Sequence, residues 1–408
     1  MKTPPVHPHI KSRRRVALLI ESSRAYGRGL FRGIAKFVRE HHEWSVQSEE
    51  WKWTDGLPAW LRNWDGDGVI GRVETPEMAK LLQQLQVPVV DVRGSVAGLD
   101  FPLIDTEDRL VARLAAEHLM NRGFREFAFC GFVGANYSDT RSHWYRERLK
   151  EAGYTCHVYS PPQRLRDGQT IEYEKRGLLF QEDLGRWLQS LPKPVGVMAC
   201  NDIRGQQVLN LCGRLDIVVP ETVAVIGADN DEVLCELSDP PLSSVVPDTL
   251  RIGYEAAALL DRLMAGGKVP SKPVLIPPLE VVSRRSTDVL ALDDPHLAAG
   301  LRFIREHAFD PITINEVARA AGMSRRVFER RFVAQMGRPP KAEVLRLRLE
   351  RVKQLLADTD WSLAEIAEKT GFKYGEYLHS VFTQKVRITP GKFRRQADLA
   401  SRGRFRFL

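Results

Sequence analysis

The chain of 408 residues has only five cysteines, Cys130, Cys156, Cys200, Cys212 and Cys235. Their number is odd, their spacings are wide, and no C-x-x-C pair occurs. That argues against a disulfide framework and against a zinc site. Such thiols read as small buried hydrophobes in a reducing compartment, and no metal or cofactor is expected. No apolar run approaches the ~18 residues of a membrane-spanning helix. The opening MKTPPVHPHIKSRRR lacks the apolar stretch of a secretory signal, so a cytoplasmic protein is expected. G-x-S-x-G, G-x-x-x-x-G-K-[ST] and H-E-x-x-H are missing as well. The acidic run GADNDE (227–232) lacks the Gly and closing Glu of a calcium loop. With no catalytic frame for its carboxylates and histidines, the chain is not expected to be an enzyme.

What is present is an ordinary globular composition, 43% hydrophobic and 27% charged. At about 150 residues per domain, this length suits two or three folded units. The net charge of +8 is unevenly placed. Residues 292–408 hold 23 Lys/Arg against 14 Asp/Glu, and the remainder holds 37 against 38. A basic segment on a neutral body is the electrostatic footprint of a nucleic-acid binder.

Short apolar runs alternate with amphipathic stretches from Arg14 onward. VALLI (16–20), GVI (68–70), VPVVDV (87–92), FAFC (127–130), VGVMAC (195–200) and VAVIGAD (223–229) read as buried strands. Stretches 29–40, 109–122 and 204–215 have apolar residues at helical spacing. The alternation predicts βαβ units and a parallel sheet. Ligands bind beyond the carboxyl ends of such strands, which points to 21–26, 91–93, 201–204 and 229–230. After RRSTD (284–288) strand signals stop, and from His296 the pattern is all helical. The domain boundary is therefore expected at 288–294, with a sensor over 12–288, a linker over 289–294 and a helical domain over 295–400.

The helical segment contains a repeat: TINEVARAAGMSRRVFERRFVAQMGRPP (313–340) and SLAEIAEKTGFKYGEYLHSVFTQKVRITP (362–390). In each copy a small Ala (Ala318, Ala367) lets two helices approach. A Gly four residues later (Gly322, Gly371) can take the positive φ that ends the first helix. A second helix then ends in a Phe (Phe332, Phe382), with Ser324 as an N-cap in the first copy. This is helix-turn-helix spacing, whose second helix fits a major groove. Between the copies, 341–358 reads as a long connector with Leu345, Leu349, Val352 and Leu356 on one face.

In the first copy, helical phase puts Arg326, Glu329 and Arg330 toward base edges, where Arg pairs with guanine and Glu accepts from cytosine. Arg325 and Arg331 are expected on phosphates. In the second copy Tyr374, Gly375, Glu376 and His379 occupy the exposed face, flanked by Lys373 and Lys385, with positioning expected to outweigh direct reading. His379 has no partner at metal-ligand spacing.

Residues 294–396, with the closing ITPGKFRR (388–395), resemble the AraC family of regulators. Residues 14–288 resemble the two-lobed periplasmic-binding-protein fold of the lactose and galactose repressors. DGDGVI (65–70), ACNDIRG (199–205), VAVIGADNDE (223–232), SSV (243–245) and RRST (284–287) carry that likeness. Those repressors place their DNA-binding helices at the N-terminus; here they stand at the C-terminus. A sensor of one kind joined to a reader of the other, with RAYGR (24–28) and IPPLEVVSRRSTD (276–288), resembles the xylose-operon activators. The resemblance implies D-xylose or a related pentose as effector, operator DNA as target, a homodimer, and activation through RNA polymerase.

Sugars are held by planar polar side chains and an aromatic face. The candidates are Arg24, Tyr26, Arg141, Asn201, Asp202, Arg204, Asp229 and Asn230. Asp229 corresponds to a sugar-contacting acid in the repressors, and Arg141 falls in the region of a contacting Arg. Trp51, Trp53, Trp60 and Trp64 read mainly as core, with one able to stack on a sugar. A rival expectation is a constitutive DNA-binding protein whose front domain only dimerises.

Overall fold

The computed structural model describes residues 13–41, 44–50, 57–161, 181–288 and 294–395. The chain divides into two compact units, Met1–Ala291 and Leu292–Leu408. Residues 289–293 of the expected linker lie outside the described residues, as do Trp51 and Trp53.

The first unit is two lobes. In the first, β1 (Arg14–Leu19), β2 (Trp44–Ser48), β3 (Gly68–Gly71) and β4 (Val89–Asp91) form a parallel sheet in the order β2-β1-β3-β4. Successive side chains of a strand point to opposite faces. Thus Val16 and Leu18 pack under α1 (Ala25–His41), while Ala17 and Leu19 pack with Met78 and Leu82 of α2 (Pro76–Gln84) on the other face. Trp60 and Trp64 meet edge to face within that second core, 5.7 Å apart, which settles them as packing residues.

From β5 (Ile104–Thr106), between the lobes, the chain enters the second lobe through α3 (Asp108–Met120), β6 (Glu126–Cys130), α4 (Asn136–Glu151), β7 (His157–Val158) and α5 (Gln181–Ser190). Then come β8 (Val195–Ala199), α6 (Asp202–Arg214), β9 (Val223–Ala228), α7 (Glu232–Leu237) and β10 (Ser243–Val246). The chain returns to the first lobe as α8 (Thr249–Met264) and crosses again through β11 (Val274–Ile276) and β12 (Glu280–Val282). The sheet order is β12-β10-β9-β8-β6-β7, parallel except that β12 runs antiparallel to β10, and β11 pairs with β5 between the lobes. Four of the five cysteines are buried here, and Cys156 is half-buried.

Helices α1 and α8 touch backbone to backbone. A Cβ at Gly33 would lie 2.0 Å from Leu250 O, and one at Gly253 would lie 2.2 Å from Leu30 O. Only glycine admits this approach, which pins the start of α1, and with it Arg24 and Tyr26, against the lobe.

The second unit is helical. It comprises α9 (Pro295–His307), α10 (Ile314–Ala320), α11 (Arg325–Met336), α12 (Pro340–Asp358), α13 (Leu363–Lys369) and α14 (Gly375–Val386). The lead helix of each repeat opens on a reciprocal capping box, Thr313 with Glu316 and Ser362 with Glu365. Ser324 does stand at the N-cap of α11, but its hydroxyl makes no capping bond. Gly322 and Gly371 take φ of +62° and +71°, so each turn uses the glycine as expected. Phe332 and Phe382 lie about a turn before the helix ends rather than at them, because both point into the core. Leu349, Val352 and Leu356 of α12 are buried with Ile366, Leu378 and Phe382.

Candidate functional site

The first unit has a cavity of about 260 Å³ between its lobes. That is below the ~300–1,000 Å³ of sites for drug-sized ligands, so it suits a small molecule. Its walls come from residues just past strand ends: Glu21 and 23–26 after β1, Arg72 and Glu74 after β3, Arg93 after β4, Asn201 and Asp202 after β8, and Asp229 and Asp231 after β9. Tyr137 and Arg141 enter from α4, and Asp105 and Asp108 from the segment between the lobes. This is the position where parallel sheets bind ligands, and here two sheets converge on it.

The lining holds seven carboxylates against four guanidiniums. Arg141 is buried; it donates to Asp108 Oδ1 at 2.7 Å and to Cys200 O at 2.6 Å, and stands 3.4 Å from Asp229 Oδ1. Glu74 holds Arg93 at 2.7 Å and stands 3.8 Å from Arg72. Tyr26 donates its hydroxyl to Asp105 Oδ1 at 2.9 Å while its ring lies under Arg72. The Tyr137 ring lies under both Arg93 and Arg141, at 4.6 and 5.3 Å. Burial, reinforced by Asp229, pushes the Asp202 carboxyl up to about 8. Burial, reinforced by Asp108, pushes Asp105 up to about 7. Arg72 is 7% exposed, and its Nε has no hydrogen-bond partner. The lobes also touch at the cavity rim: Ala25 N–H donates to Asp231 Oδ2 at 3.3 Å, and Asn136 Nδ2 donates to Gly94 O at 2.7 Å.

In the second unit, the outer face of α11 forms a shallow concavity lined by Arg325, Arg326, Glu329, Arg330, Val333 and Pro339. Its counterpart on α14 is lined by Lys373, Tyr374, Gly375, Glu376, His379 and Ser380, with Leu363 and Ala364 of α13. Buried Phe328, Phe332, Leu378 and Phe382 occupy the opposite faces of the two helices. Each reading helix is thus anchored by aromatic and aliphatic residues while its polar side remains free for a groove.

Three family models match: XylR N-terminal domain over residues 15–105, periplasmic binding protein-like domain over 116–287, and helix-turn-helix domain over 317–396. The xylose operon regulatory protein of Escherichia coli (strain K12) is 32% identical, over 94% of this chain and 97% of its own length. That of Haemophilus influenzae (strain ATCC 51907 / DSM 11121 / KW20 / Rd) is 33% identical, over 93% and 98%. A solved structure of the xylose-binding transcription activator xylR superposes with a TM-score of 0.75 at 31% identity, covering 94% of this chain and 98% of that one. The chain belongs to the xylose operon regulatory protein family. It is a transcription regulator, with a periplasmic-binding-protein-like sensor and a helix-turn-helix DNA-binding domain.

Within this regulator, six of the eight candidate sugar residues, Arg24, Tyr26, Arg141, Asn201, Asp202 and Asp229, line the one cavity. Arg204 and Asn230 do not. Residues two apart on a helix point about 200° apart, so with Asp202 turned to the cavity Arg204 turns away, over the rings of Phe132 and Tyr159. Asp229 and Asp231 face the cavity, and Asn230 between them faces outward, accepting from Arg284 Nη1 at 2.9 Å. Asp229 and Asn230 both have positive φ, 103° and 46°, a conformation costly for residues with a Cβ.

Sequence reasoning reached Glu21 and Arg93 only through the strand-end segments 21–26 and 91–93, and it missed Arg72, Glu74, Asp105, Asp108, Tyr137 and Asp231. Arg72 follows strand GVIG directly, so the strand-end rule applied at every strand would have found it. Asp105 and Asp108 lie around a three-residue strand with no periodicity to reveal it. Arg331 is not among the residues lining the α11 concavity; its half-exposed side chain pairs through Nη1 with Asp294 Oδ2 at 3.1 Å, at the N-cap of α9. Arg325 pairs with Glu329 at 3.1 Å on the exposed face.

Proposed function

We propose that the cavity binds D-xylose, as the name of the solved relative says of that protein, and that the sugar-bound chain activates transcription from operator DNA. The observation that carries this reading is a small cavity between the lobes whose lining holds seven carboxylates, four guanidiniums and two tyrosine rings. An acidic lining disfavours phosphorylated or carboxylated ligands. It favours a neutral polyol whose hydroxyls donate to Asp202, Asp229 and Asp231 and accept from Arg72, Arg93 and Arg141. Arg24 and Asn201 add polar contacts, and Tyr26 and Tyr137 supply ring faces.

Sugar held by both lobes favours the closed arrangement, and differential affinity for the DNA-competent state supplies the switch. Allosteric couplings of this kind are commonly about 1–3 kcal/mol. Arg326, Glu329 and Arg330 of α11 read base edges, Arg325 contacts phosphate, and Lys373, Tyr374, Glu376 and His379 position α14. We assign the chain a cytoplasmic location, a homodimeric state, contact with RNA polymerase and no catalytic activity. The domain limits of this reading are 12–288 for the sensor and 295–400 for the reader.

Thermal unfolding against a panel of pentoses and hexoses tests the proposal. A ligand that binds only the native state adds RT ln(1 + [L]/Kd) to its stability. A midpoint raised by xylose alone supports it. A shift with another pentose changes the effector. Absence of any shift favours a front domain that only dimerises.

A further inference from the structure

Arg348 lies in the middle of α12, between the two helix-turn-helix copies. Its three guanidinium nitrogens each donate to a main-chain carbonyl: Nε to Ala308 O at 2.7 Å, Nη2 to Asp310 O at 2.7 Å and Nη1 to Gly371 O at 2.5 Å. Ala308 is the C-cap of α9, the helix packed on the first copy, and Asp310 lies in the turn that follows. Gly371 lies in the turn of the second copy, just after α13. One side chain therefore ties the end of α9, which packs on the first copy, to the turn of the second copy.

The joint is also tight. A Cβ at Gly371 would lie 2.6 Å from Phe309 O and 2.9 Å from Arg348 Cζ. The length of α12 sets how far apart the copies stand, but a helix alone does not fix rotation about its ends. A planar guanidinium with donors in fixed directions does.

We infer that Arg348 is a positioning residue that fixes the phase between α11 and α14, and hence the separation of the two DNA elements the regulator accepts. This rests on the reading that both helices contact DNA. One base pair more between the elements rotates the second groove by roughly 34°, since a turn takes about 10.5 base pairs. A rigid joint rejects that step, whereas a loose one tolerates it.

The test is selection of binding sites by the full-length protein from a pool of random duplexes, followed by affinities for the selected site and for one with a single base pair inserted between its elements. The wild type should recover two elements at one separation and discriminate strongly against the insertion. Arg348→Ala should cut that discrimination at least about fivefold, and Arg348→Lys, which keeps the charge but not the fork, should fall between. Gly371→Ala strains the same joint from the other side and should shift the ratio in the same direction.

A merely structural role lowers stability and weakens both sites alike. An unchanged affinity ratio in these variants would therefore overturn the inference. If Arg348→Ala does not fold by circular dichroism, the ratios of the Lys and Gly371 variants decide the matter. Recovery of a single element by the wild type would refute the two-helix reading itself, and the inference with it.

Discussion

Arg72 combines an aromatic stack with a place in the cavity wall. Its guanidinium stacks on Tyr26 and stands near Glu74, yet Nε is buried without an acceptor. Arg72 nevertheless lines the cavity, where the rest of its guanidinium can donate to a sugar hydroxyl. Hydrogen bonds to charged groups contribute about 1.5–3 kcal/mol, so Arg72→Ala should weaken sugar binding roughly ten- to hundredfold by calorimetry. An unchanged Kd would remove Arg72 from the site.

Asp202 makes a second prediction at this scale. Its folded pKa, near 8, is raised above the ordinary carboxyl value, so between about pH 4 and 8 the folded state holds more protons than the unfolded one. Stability of the sugar-free protein should then fall as pH rises through that window. Asp105, raised to about 7, adds to the slope. Unfolding midpoints of wild type and Asp202→Asn across pH 4–8 should diverge, with the variant showing the flatter profile. Parallel profiles would mean that the Asp202 proton does not contribute.

At the scale of the element, the two repeats solve the same problem with different residues. Helix α11 ends on Gly337 with φ +67°, and α14 ends on Arg387 with φ +69°. Left-handed backbone costs a side-chain-bearing residue roughly 1 kcal/mol or more. Arg387→Gly should stabilise the second unit by about 0.5–1 kcal/mol in chemical denaturation, and a loss of stability would show that the Arg side chain makes a contact worth more than the strain.

The elements themselves were legible in sequence because their signals are local. Apolar runs marked β1, β3, β4, β6, β8 and β9, and the repeated Ala and Gly marked both helix-turn-helix units. Strands β2, β5, β7, β11 and β12 were not anticipated. They are short, and pairing with distant strands, rather than their own pattern, makes them strands.

At the scale of the whole molecule, the two compact units and the uneven charge make a modular prediction. A chain ending at residue 288 should keep sugar affinity and lose operator binding, by calorimetry and gel shift. Loss of both in a folded fragment would contradict modularity. The basic second unit should also make operator affinity fall steeply with salt, because each neutralised phosphate releases a counterion. Substituting Arg325 should lower the slope of log K against log[salt] by about one, whereas Arg326→Ala should chiefly relax base preference at one position. An unaltered slope on replacing Arg325 would argue against its phosphate contact.

Sequence by itself determined the order of the domains, the class of each, and the strand ends that border the cavity, since periodicity, turn residues and charge are properties of neighbouring positions. Only the tertiary structure decided which side chains at those strand ends share one space. It turned Asp202 inward and Arg204 outward within a single helical turn, and it drew Arg331 back to Asp294. It also brought Arg72, Asp105 and Tyr137 from separate elements to the same cavity. The physical reason is that a side chain's direction depends on how its helix or loop packs against partners far along the chain, and no local pattern records those contacts.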